Sequence, residues 1–242
     1  MLKITSFGKS DVGLKRSNNE DAYALKPEDG FFALADGMGG EAAGEVASQI
    51  FIETAIEVFS REDNPSQKEI LDRVQKTFQL SNERILSHVG QHPHHHGMGC
   101  TAELIAFSNQ NFVLGHVGDS RTYLYRGGFL RQLTKDHSLI QSQIDQGLIT
   151  PSEATHHALK NVILRAVGAE EAIAVDLIRG VCLPGDMFLL CSDGLTDLVD
   201  ETSIQEVLAM NLSLSQKVDS LIERAKAKGG FDNITVILCE VV

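Results

Sequence analysis

Four aspartates lie where apolar, strand-like runs of this 242-residue sequence begin or end, a placement that suits metal chemistry. They are Asp36, Asp119, Asp193 and Asp232. Each one alone is also explained as a turn residue, because aspartate is common in turns. Several carboxylates gathered at one place would instead require cations, since like charges raise each other's pKa.

The Asp-Gly turn at 29–30 predicts how the strands on either side of it pair. Counting outward from that turn puts Asp36 opposite Asp21 or one of the next two residues, and it leaves Glu20 close to Gly37. These acids are therefore expected at the same end of one hairpin.

Two more pairings bring the other aspartates to strand ends. A predicted hairpin that turns at 108–111 puts Asp119 near the segment 100–101. Antiparallel pairing of the run before Asp193 with the run after Asp232 gives these two residues a shared end. These pairings do not by themselves show that the strand ends of different hairpins meet. They do show that the chain could gather the four aspartates without an unusual path.

Oxygen ligands alone select magnesium or manganese rather than zinc. No histidine lies among these acids at zinc-ligand spacing. Two such ions hold a hydroxide at neutral pH and offset the charge of a phosphate. Arg16, four residues before Glu20, is the local cation best placed to bind that phosphate.

Short strands and a few helices must position these residues. Helical spacing predicts a helix over 40–59 and a second that begins at Pro65 after an Asn64 cap. A third is predicted over 213–228, ended by the glycines at 229–230. The strand-like runs are close in sequence and joined by turn signals, which favours antiparallel hairpins and an α+β layered domain.

Composition limits the class of protein. The formal net charge of −12 argues against nucleic acid as the main partner. The sequence has no run of about eighteen apolar residues and no apolar signal region, so we expect no membrane span and a cytoplasmic protein. Its length suits one domain over 1–242, and the four cysteines, none in a C-x-x-C pair, are expected to be buried thiols.

The chain resembles the metal-dependent, type-2C serine/threonine protein phosphatases (the PPM family), bacterial type, in seven segments that follow the family's order. They are 10–23 (SDVGLKRSNNEDAY), 33–40 (ALADGMGG), 99–101 (GCT), 117–121 (VGDSR), 133–138 (LTKDHS), 191–197 (CSDGLTD) and 230–235 (GFDNIT). Each segment is short, but seven in order argue against chance.

The resemblance implies a four-layer αββα sandwich of two antiparallel sheets flanked by helices, with the metals in a cleft at one end. By position, it implies that Asp36 bridges two ions and that Gly37 contributes its backbone carbonyl. Asp193 and Asp232 would complete the first metal, and Glu20 would reach the second through water.

The resemblance also implies an extra metal site at Asp119 with Asp193, and a flap over about 136–168 that affects substrate choice. The implied activity is Mg- or Mn-dependent hydrolysis of phosphoserine and phosphothreonine in proteins, by a metal-bridging hydroxide in a centre of two or three ions. Arg16 would bind the substrate phosphate and act in catalysis with Asp36, Asp193 and Asp232. The expected partner is a phosphorylated protein, such as a serine/threonine kinase or its target, and we expect a monomer.

Two positions depart from the family pattern. Glu41 stands where family members commonly have a histidine, a candidate acid for the leaving alcohol. Glu41 either takes that role, which needs a pKa well above about 4.3, or occupies the first turn of a helix, where an acid is favoured. Cys100 stands where threonine is usual, and we expect only a packing difference there.

Two motifs have other interpretations. The segment 37–42 fits a loose G-x-G-x-x-A dinucleotide loop, but Asp36 and Glu41 flank the place for a pyrophosphate, and hairpins argue against a parallel sheet. The histidines within 92–96 either bind a transition metal or lie in an exposed loop.

Two functions other than catalysis also fit the pattern of acids. One is a phosphatase-like module that binds phosphoproteins without turnover, and the other is a domain with structural calcium or magnesium. The complete set of metal-binding acids favours the enzyme over the first. Arg16 and the flap argue against the second.

Overall fold

The centre of the molecule is a pair of antiparallel sheets that pack face to face. The computed structural model describes residues 3–39, 43–60, 65–154, 157 and 159–242. The strands are β1 (Ile4–Asp11), β2 (Asp21–Lys26), β3 (Phe31–Met38), β4 (Gly99–Ser108), β5 (Asn111–Val117), β6 (Arg121–Arg126), β7 (Phe129–Gln132), β8 (Asp176–Val181), β9 (Met187–Cys191) and β10 (Ile234–Val241). Sheet A has the order β1-β10-β9-β6-β7, and sheet B has the order β2-β3-β4-β5-β8.

Successive side chains of a strand point to opposite faces of its sheet, so a single strand contributes to two different hydrophobic clusters. In β3, Phe32 and Leu34 belong to the cluster between the sheets, together with Phe188 of β9. Phe31 and Ala33, which alternate with them along the strand, belong to a cluster on the opposite face of the strand. Because both faces of β3 are covered, its apolar run is continuous rather than alternating. Each large apolar side chain buried this way contributes roughly 1.5–3 kcal/mol.

The longer helices cover the outer face of each sheet, and short helices lie in the connections between strands. They are α1 (Gly44–Phe59), α2 (Gln67–Gln91), α3 (Leu139–Asp145), α4 (Pro151–Ala154), α5 (Asp193–Thr196), α6 (Glu201–Ala209) and α7 (Leu214–Ala227), with a short 3-10 helix over Pro93–His95. Phe51 of α1 and Phe78 of α2 pack against sheet B, with ring centroids 5.0 Å apart. Leu221 of α7 packs with Leu238 of sheet A. The predicted αββα layering is confirmed.

Capping side chains set the helix starts. In α7, Ser213 is the N-cap of a capping box, which confirms the start of the third predicted helix. The predicted start of α2 at Pro65 is wrong, because Ser66 is the N-cap and exchanges hydrogen bonds with Glu69. Asn64, the predicted cap, lies outside the described residues.

The segment between β7 and β8 contains the predicted flap (136–168), in which α3 and α4 lie. Isolated β-bridges join Ser138 to Ile163 within the flap and Val167 to Cys100 of β4. Lys160 Nζ lies 2.5 Å from Asp197 Oδ2, just beyond α5. The flap is therefore fastened to the body at its base and near its middle. None of the described helices combines the length and apolar character needed to span a membrane.

Candidate metal centre

The first hairpin of sheet B places Asp36. Asp21 lies directly opposite Asp36 in the pairing of β2 with β3, and Gly37 N donates a 3.1 Å hydrogen bond to Glu20 O. The predicted register is confirmed. The turn at its other end is the expected one, with Gly30 at a φ of 71°, a conformation that glycine adopts without strain.

The next hairpin of sheet B places Asp119. Asp36 pairs with Thr101 of β4, and the register of β4 with β5 then carries the chain past Thr101 to Asp119, as predicted. Gly118 has a φ of 112°, and a Cβ there would collide with the Thr101 side chain. Cys100 is buried in the core between sheet B and its helices, so the expected packing role of this cysteine is confirmed.

Asp193 and Asp232 share one end of sheet A. β9 and β10 are antiparallel neighbours, as predicted. Asp193 is the first residue of α5, directly after β9, and Asp232 lies just before β10. Gly194 approaches the Asn233 carbonyl so closely that a Cβ there would collide with it. This approach holds the loops that carry the two aspartates together.

A cleft of about 680 Å³ opens where these strand ends meet. The predicted site residues all line it: Arg16, Glu20, Asp36, Gly37, Asp119, Asp193 and Asp232. It is also lined by residues for which the sequence predicted no role: Ser17, Asn18, Met38, Gly39, Thr101, Asn161, Ile163 and Asn233. Segments from both ends of the chain and from the flap therefore share one site.

The carboxylates of the cleft raise each other's pKa. Desolvation, and then the charges of Asp21 and Asp193, raise the pKa of Asp36 well above its ordinary value. Desolvation and then the charge of Asp119 do the same to the pKa of Asp193. Desolvation and the charge of Asp136 raise the pKa of Asp119 to about 6. The described chain thus concentrates negative charge here beyond what its own cations offset.

Asp21 faces Asp36 but does not line the cleft. Its Oδ2 accepts hydrogen bonds from the hydroxyls of Ser192 at 2.8 Å and Thr235 at 2.6 Å, both of which belong to sheet A or its loops. Its buried Oδ1 has no hydrogen-bond partner within the described part of the chain. Desolvation raises the pKa of Asp21 to about 6. Asp21 therefore joins the two sheets beside the centre.

Asn233 fixes the loop that carries Arg16 and Glu20. Its Oδ1 accepts from Glu20 N at 2.8 Å, and its Nδ2 donates to the carbonyls of Val12 at 3.0 Å and Asn18 at 2.9 Å. Sequence reasoning missed this role. The available signal was an asparagine between Asp232 and a mainly apolar strand, a position where a side-chain amide is buried and needs partners.

Arg16 stands at the rim of the cleft. Its side chain is 53% exposed, and Nη2 donates a 2.7 Å hydrogen bond to Asp232 Oδ2. An exposed ion pair of this kind contributes about 0–1 kcal/mol, so the guanidinium can exchange partners readily.

The donor set fits hard divalent cations. The acidic side chains of the cleft offer only carboxylate oxygens as ligands. Because these groups are close together and partly or fully buried, their negative charges are unfavourable unless a cation is present. No group of three imidazole, thiol or carboxylate side chains among the residues that the structure describes is arranged so that it could hold a metal ion by itself. The acids surround the cleft instead, which suits magnesium or manganese, because these ions keep several waters and need few protein ligands.

The remaining predictions have mixed outcomes. Glu41 lies outside the described residues, together with the first part of the helix predicted over 40–59. The argument against a dinucleotide loop at 37–42 is confirmed, because β3 pairs antiparallel on both sides and belongs to no parallel sheet. His92, His94 and His95 lie at an exposed turn and short 3-10 helix, as the exposed-loop interpretation predicts. The imidazole of His92 stacks on that of His95, and the imidazole of His94 meets that of His95 edge to face.

Comparison with known proteins gives a consistent result. The profile of the protein phosphatase 2C family matches residues 14–230. The serine/threonine protein phosphatase PstP of Mycobacterium tuberculosis is 40% identical over 241 residues, which is 100% of this chain and 46% of that protein. The chain thus spans about half the length of PstP. The serine/threonine phosphatase stp of Listeria monocytogenes is 38% identical over 96% of this chain and 94% of its own.

Solved structures share the fold. The crystal structure of the M. tuberculosis PstP phosphatase matches with a TM-score of 0.93 at 38% identity, over 99% of each chain. The catalytic domain of PstP in complex with two manganese ions matches with a TM-score of 0.92 at 38% identity, over 100% of each chain.

Proposed function

The chain belongs to the protein phosphatase 2C family, and on that premise we propose that it hydrolyses phosphoserine and phosphothreonine esters in proteins with the help of divalent metal ions. One observation carries the proposal. The acids and the arginine that the family resemblance singles out come from distant parts of the chain, yet they line one cleft.

The proposed metal ligands are the acids of the cleft and one backbone carbonyl. Asp36, the carbonyl of Gly37, Asp193, Asp232 and, through water, Glu20 would hold two Mg²⁺ or Mn²⁺ ions. Asp119, with Asp193, would hold a third. When bound, such ions activate water at neutral pH and offset the negative charge of a phosphoryl group. The raised pKa values of Asp36, Asp119 and Asp193 support this assignment, because a cation would offset the same charges.

Arg16 is the proposed ligand of the substrate phosphate. Its planar guanidinium can donate to two phosphate oxygens at once, and its exposure at the rim leaves it accessible from solvent. The bond to Asp232 keeps it at the edge of the metal site. Hydrolysis breaks the bond between phosphorus and the serine or threonine oxygen, water supplies the hydroxyl that phosphorus gains, and a proton returns to the alcohol.

The flap is the proposed contact for the polypeptide part of the substrate. Asn161 and Ile163 of the flap line the same cleft as Arg16. We propose a phosphorylated protein as the substrate, such as a serine/threonine kinase or a protein that it modifies. The similar proteins PstP and stp are serine/threonine phosphatases, which supports this class of substrate.

The test is hydrolysis of an aryl phosphate and of a phosphothreonine peptide, with manganese and then with a chelator. We expect turnover that requires manganese in the intact protein and falls by a factor of about 10³ or more in Asp193→Asn, as for loss of a central electrostatic group. Asp29→Asn is the matched control, because Asp29 lies in the turn at the opposite end of the hairpin that carries Asp36.

The outcomes separate the candidate functions. Absence of manganese-dependent turnover in the intact protein would defeat the enzyme proposal. Phosphopeptide binding without turnover would indicate a binding module instead. Loss of manganese binding in Asp193→Asn, measured by calorimetry, checks the ligand assignment independently of activity.

A further inference from the structure

Two exposed apolar side chains lie beside Arg16 on loops that touch each other. Leu14 is 59% exposed and Phe231 is 58% exposed. Leu14 is two residues before Arg16, and Phe231 directly precedes Asp232, to which Arg16 donates its hydrogen bond. We call Leu14 and Phe231 the apolar ledge. Single apolar residues on a surface need no explanation, but these two lie on adjoining loops, each within two residues of a residue that lines the cleft.

Backbone contacts hold the ledge in place. Leu14 N donates a 2.8 Å hydrogen bond to Gly230 O, which joins the two loops directly. A Cβ on Gly230 would lie 3.1 Å from Leu14 Cγ, so the leucine packs against this glycine. Gly13, with a φ of 77°, lets the chain pass so close to the Asp232 carbonyl that a Cβ would collide with it. A surface fixed in this way loses little conformational entropy when it binds.

The ledge is continuous with the phosphate position. A chain advances at most about 3.6 Å per residue, so the Cα atoms of Leu14 and Arg16 are within roughly 7 Å of each other. A peptide whose phosphate reaches Arg16 and whose chain runs toward Leu14 would bring a residue within about three positions of its phosphoresidue to the ledge. The chemistry that matches Leu14 and Phe231 there is an apolar side chain.

We propose that the apolar ledge binds an apolar residue of the substrate peptide within three positions of the phosphorylated serine or threonine. This inference rests on the proposed function and names the class of phosphopeptide that the site prefers. An apolar contact of this size changes kcat/KM by about 10-fold or more.

The experiment uses the intact protein and two series of phosphothreonine peptides. Leucine or serine is placed at each position from three before to three after the phosphothreonine. Turnover with manganese gives kcat/KM, and fluorescence anisotropy in the same buffer gives Kd. An aryl phosphate, which carries no neighbouring peptide residue, serves as the reference substrate.

We expect leucine to be preferred over serine by about 10-fold at one position or more. In the double variant Leu14→Ser/Phe231→Ser, this preference should shrink to about 2-fold or less, and the ratio of peptide to aryl phosphate kcat/KM should fall by about 10-fold. Leu14→Met/Phe231→Leu should keep the preference, which separates the apolar contact from a folding defect. Phe129→Ser is the matched control, because Phe129 is 77% exposed at the far end of sheet A.

Equal kcat/KM and equal Kd for the leucine and serine series would overturn the proposal that the apolar ledge binds an apolar residue. A preference for leucine that survives in the double variant would also overturn it. Failure of the proposed function is recognised separately, as absence of manganese-dependent aryl phosphate hydrolysis. In that case the Kd values of the leucine and serine peptides still test binding at the apolar ledge, because a binding measurement needs no turnover.

Discussion

Asp21 lies directly opposite Asp36 in sheet B, and the same carboxylate accepts hydrogen bonds from Ser192 and Thr235 of sheet A. One residue that does not line the cleft therefore joins both sheets and adds its charge to the field at Asp36. Partners of this kind orient metal ligands and tune their affinity.

Asp21→Asn should weaken manganese activation while the fold is kept. The amide oxygen of asparagine can still accept from the two hydroxyls, but the negative charge beside Asp36 is lost. We expect the manganese concentration for half-maximal activity to rise by about 10-fold, with kcat at saturating manganese nearly unchanged. A manganese titration of aryl phosphate hydrolysis measures this, and an unchanged midpoint would contradict it. Asp21→Ala should instead lower the free energy of unfolding by about 1–3 kcal/mol, because both hydroxyls lose their acceptor.

Stability should depend on pH in a direction set by the raised pKa values of the cleft. The pKa of Asp119 rises from an ordinary value of 3.8 to about 6, and the pKa values of Asp36 and Asp193 also rise. Between these values the folded protein holds more protons than the unfolded chain. The metal-free protein should therefore lose stability as pH rises from about 4 through 6 and above.

Manganese should reverse this loss, because it binds deprotonated carboxylates. With excess manganese we expect the Tm to rise by about 5–10 °C at pH 7.5 and by much less at pH 5. Thermal unfolding followed by circular dichroism, with manganese and with chelator, measures both values. Equal manganese shifts at the two pH values would argue that the cleft acids do not bind the ion, and Asp29→Asn should behave as the intact protein.

Arg16→Lys should reduce turnover of every phosphate ester. Lysine keeps the charge but cannot donate to two phosphate oxygens in the same plane. We expect kcat/KM to fall by about 10²-fold for both aryl phosphate and phosphopeptide. Lys15→Ala is the matched control, since Lys15 is the neighbouring exposed cation and does not line the cleft. A similar loss in both variants would mean that this loop is sensitive to substitution in general, and full activity of Arg16→Lys would mean that positive charge is enough without the guanidinium.

The ion pair between Lys160 and Asp197 should affect protein substrates more than small ones. It fastens the flap to the body at 2.5 Å, but both side chains are partly exposed, so it contributes only about 0–1 kcal/mol. We expect Lys160→Gln to change KM for a phosphoprotein by about 2–5-fold at low salt, with aryl phosphate unaffected. The effect should disappear at about 1 M salt, where exposed charges are screened. An effect that persists there would point to another role for Lys160.

Turn signals in the sequence, with residues counted outward from each turn, predicted the part of the site that lies on hairpins. The turn at 29–30 fixes the pairing of Asp21 with Asp36, and the turn at 108–111 fixes the approach of Asp119 to Thr101. Both follow from counting, because antiparallel strands joined by a short turn leave little freedom of register.

Contacts between distant segments could not be predicted in this way. The bonds of Asp21 to Ser192 and Thr235 depend on how two sheets face each other, which no local pattern encodes. The same holds for Asn233, whose amide binds loop carbonyls more than 200 residues away in sequence. The short helices of the flap were missed because a few polar turns carry little periodicity. α6 could have been found from Asp200 as its cap.

The pairing of β1 with β10 has a consequence for how the protein is made. This ladder joins Ile4 to Val241, so within this domain an early strand must wait for a late one. Asp232, just before β10, reaches the cleft only once β10 has joined sheet A. Such long-range pairing slows folding, because loop-closure entropy is lost before any contact is gained. Arg16 and Asp36 are thus in place before β10 completes the site, and recovery of the proposed phosphatase activity after dilution from denaturant should report when β10 joins the sheet.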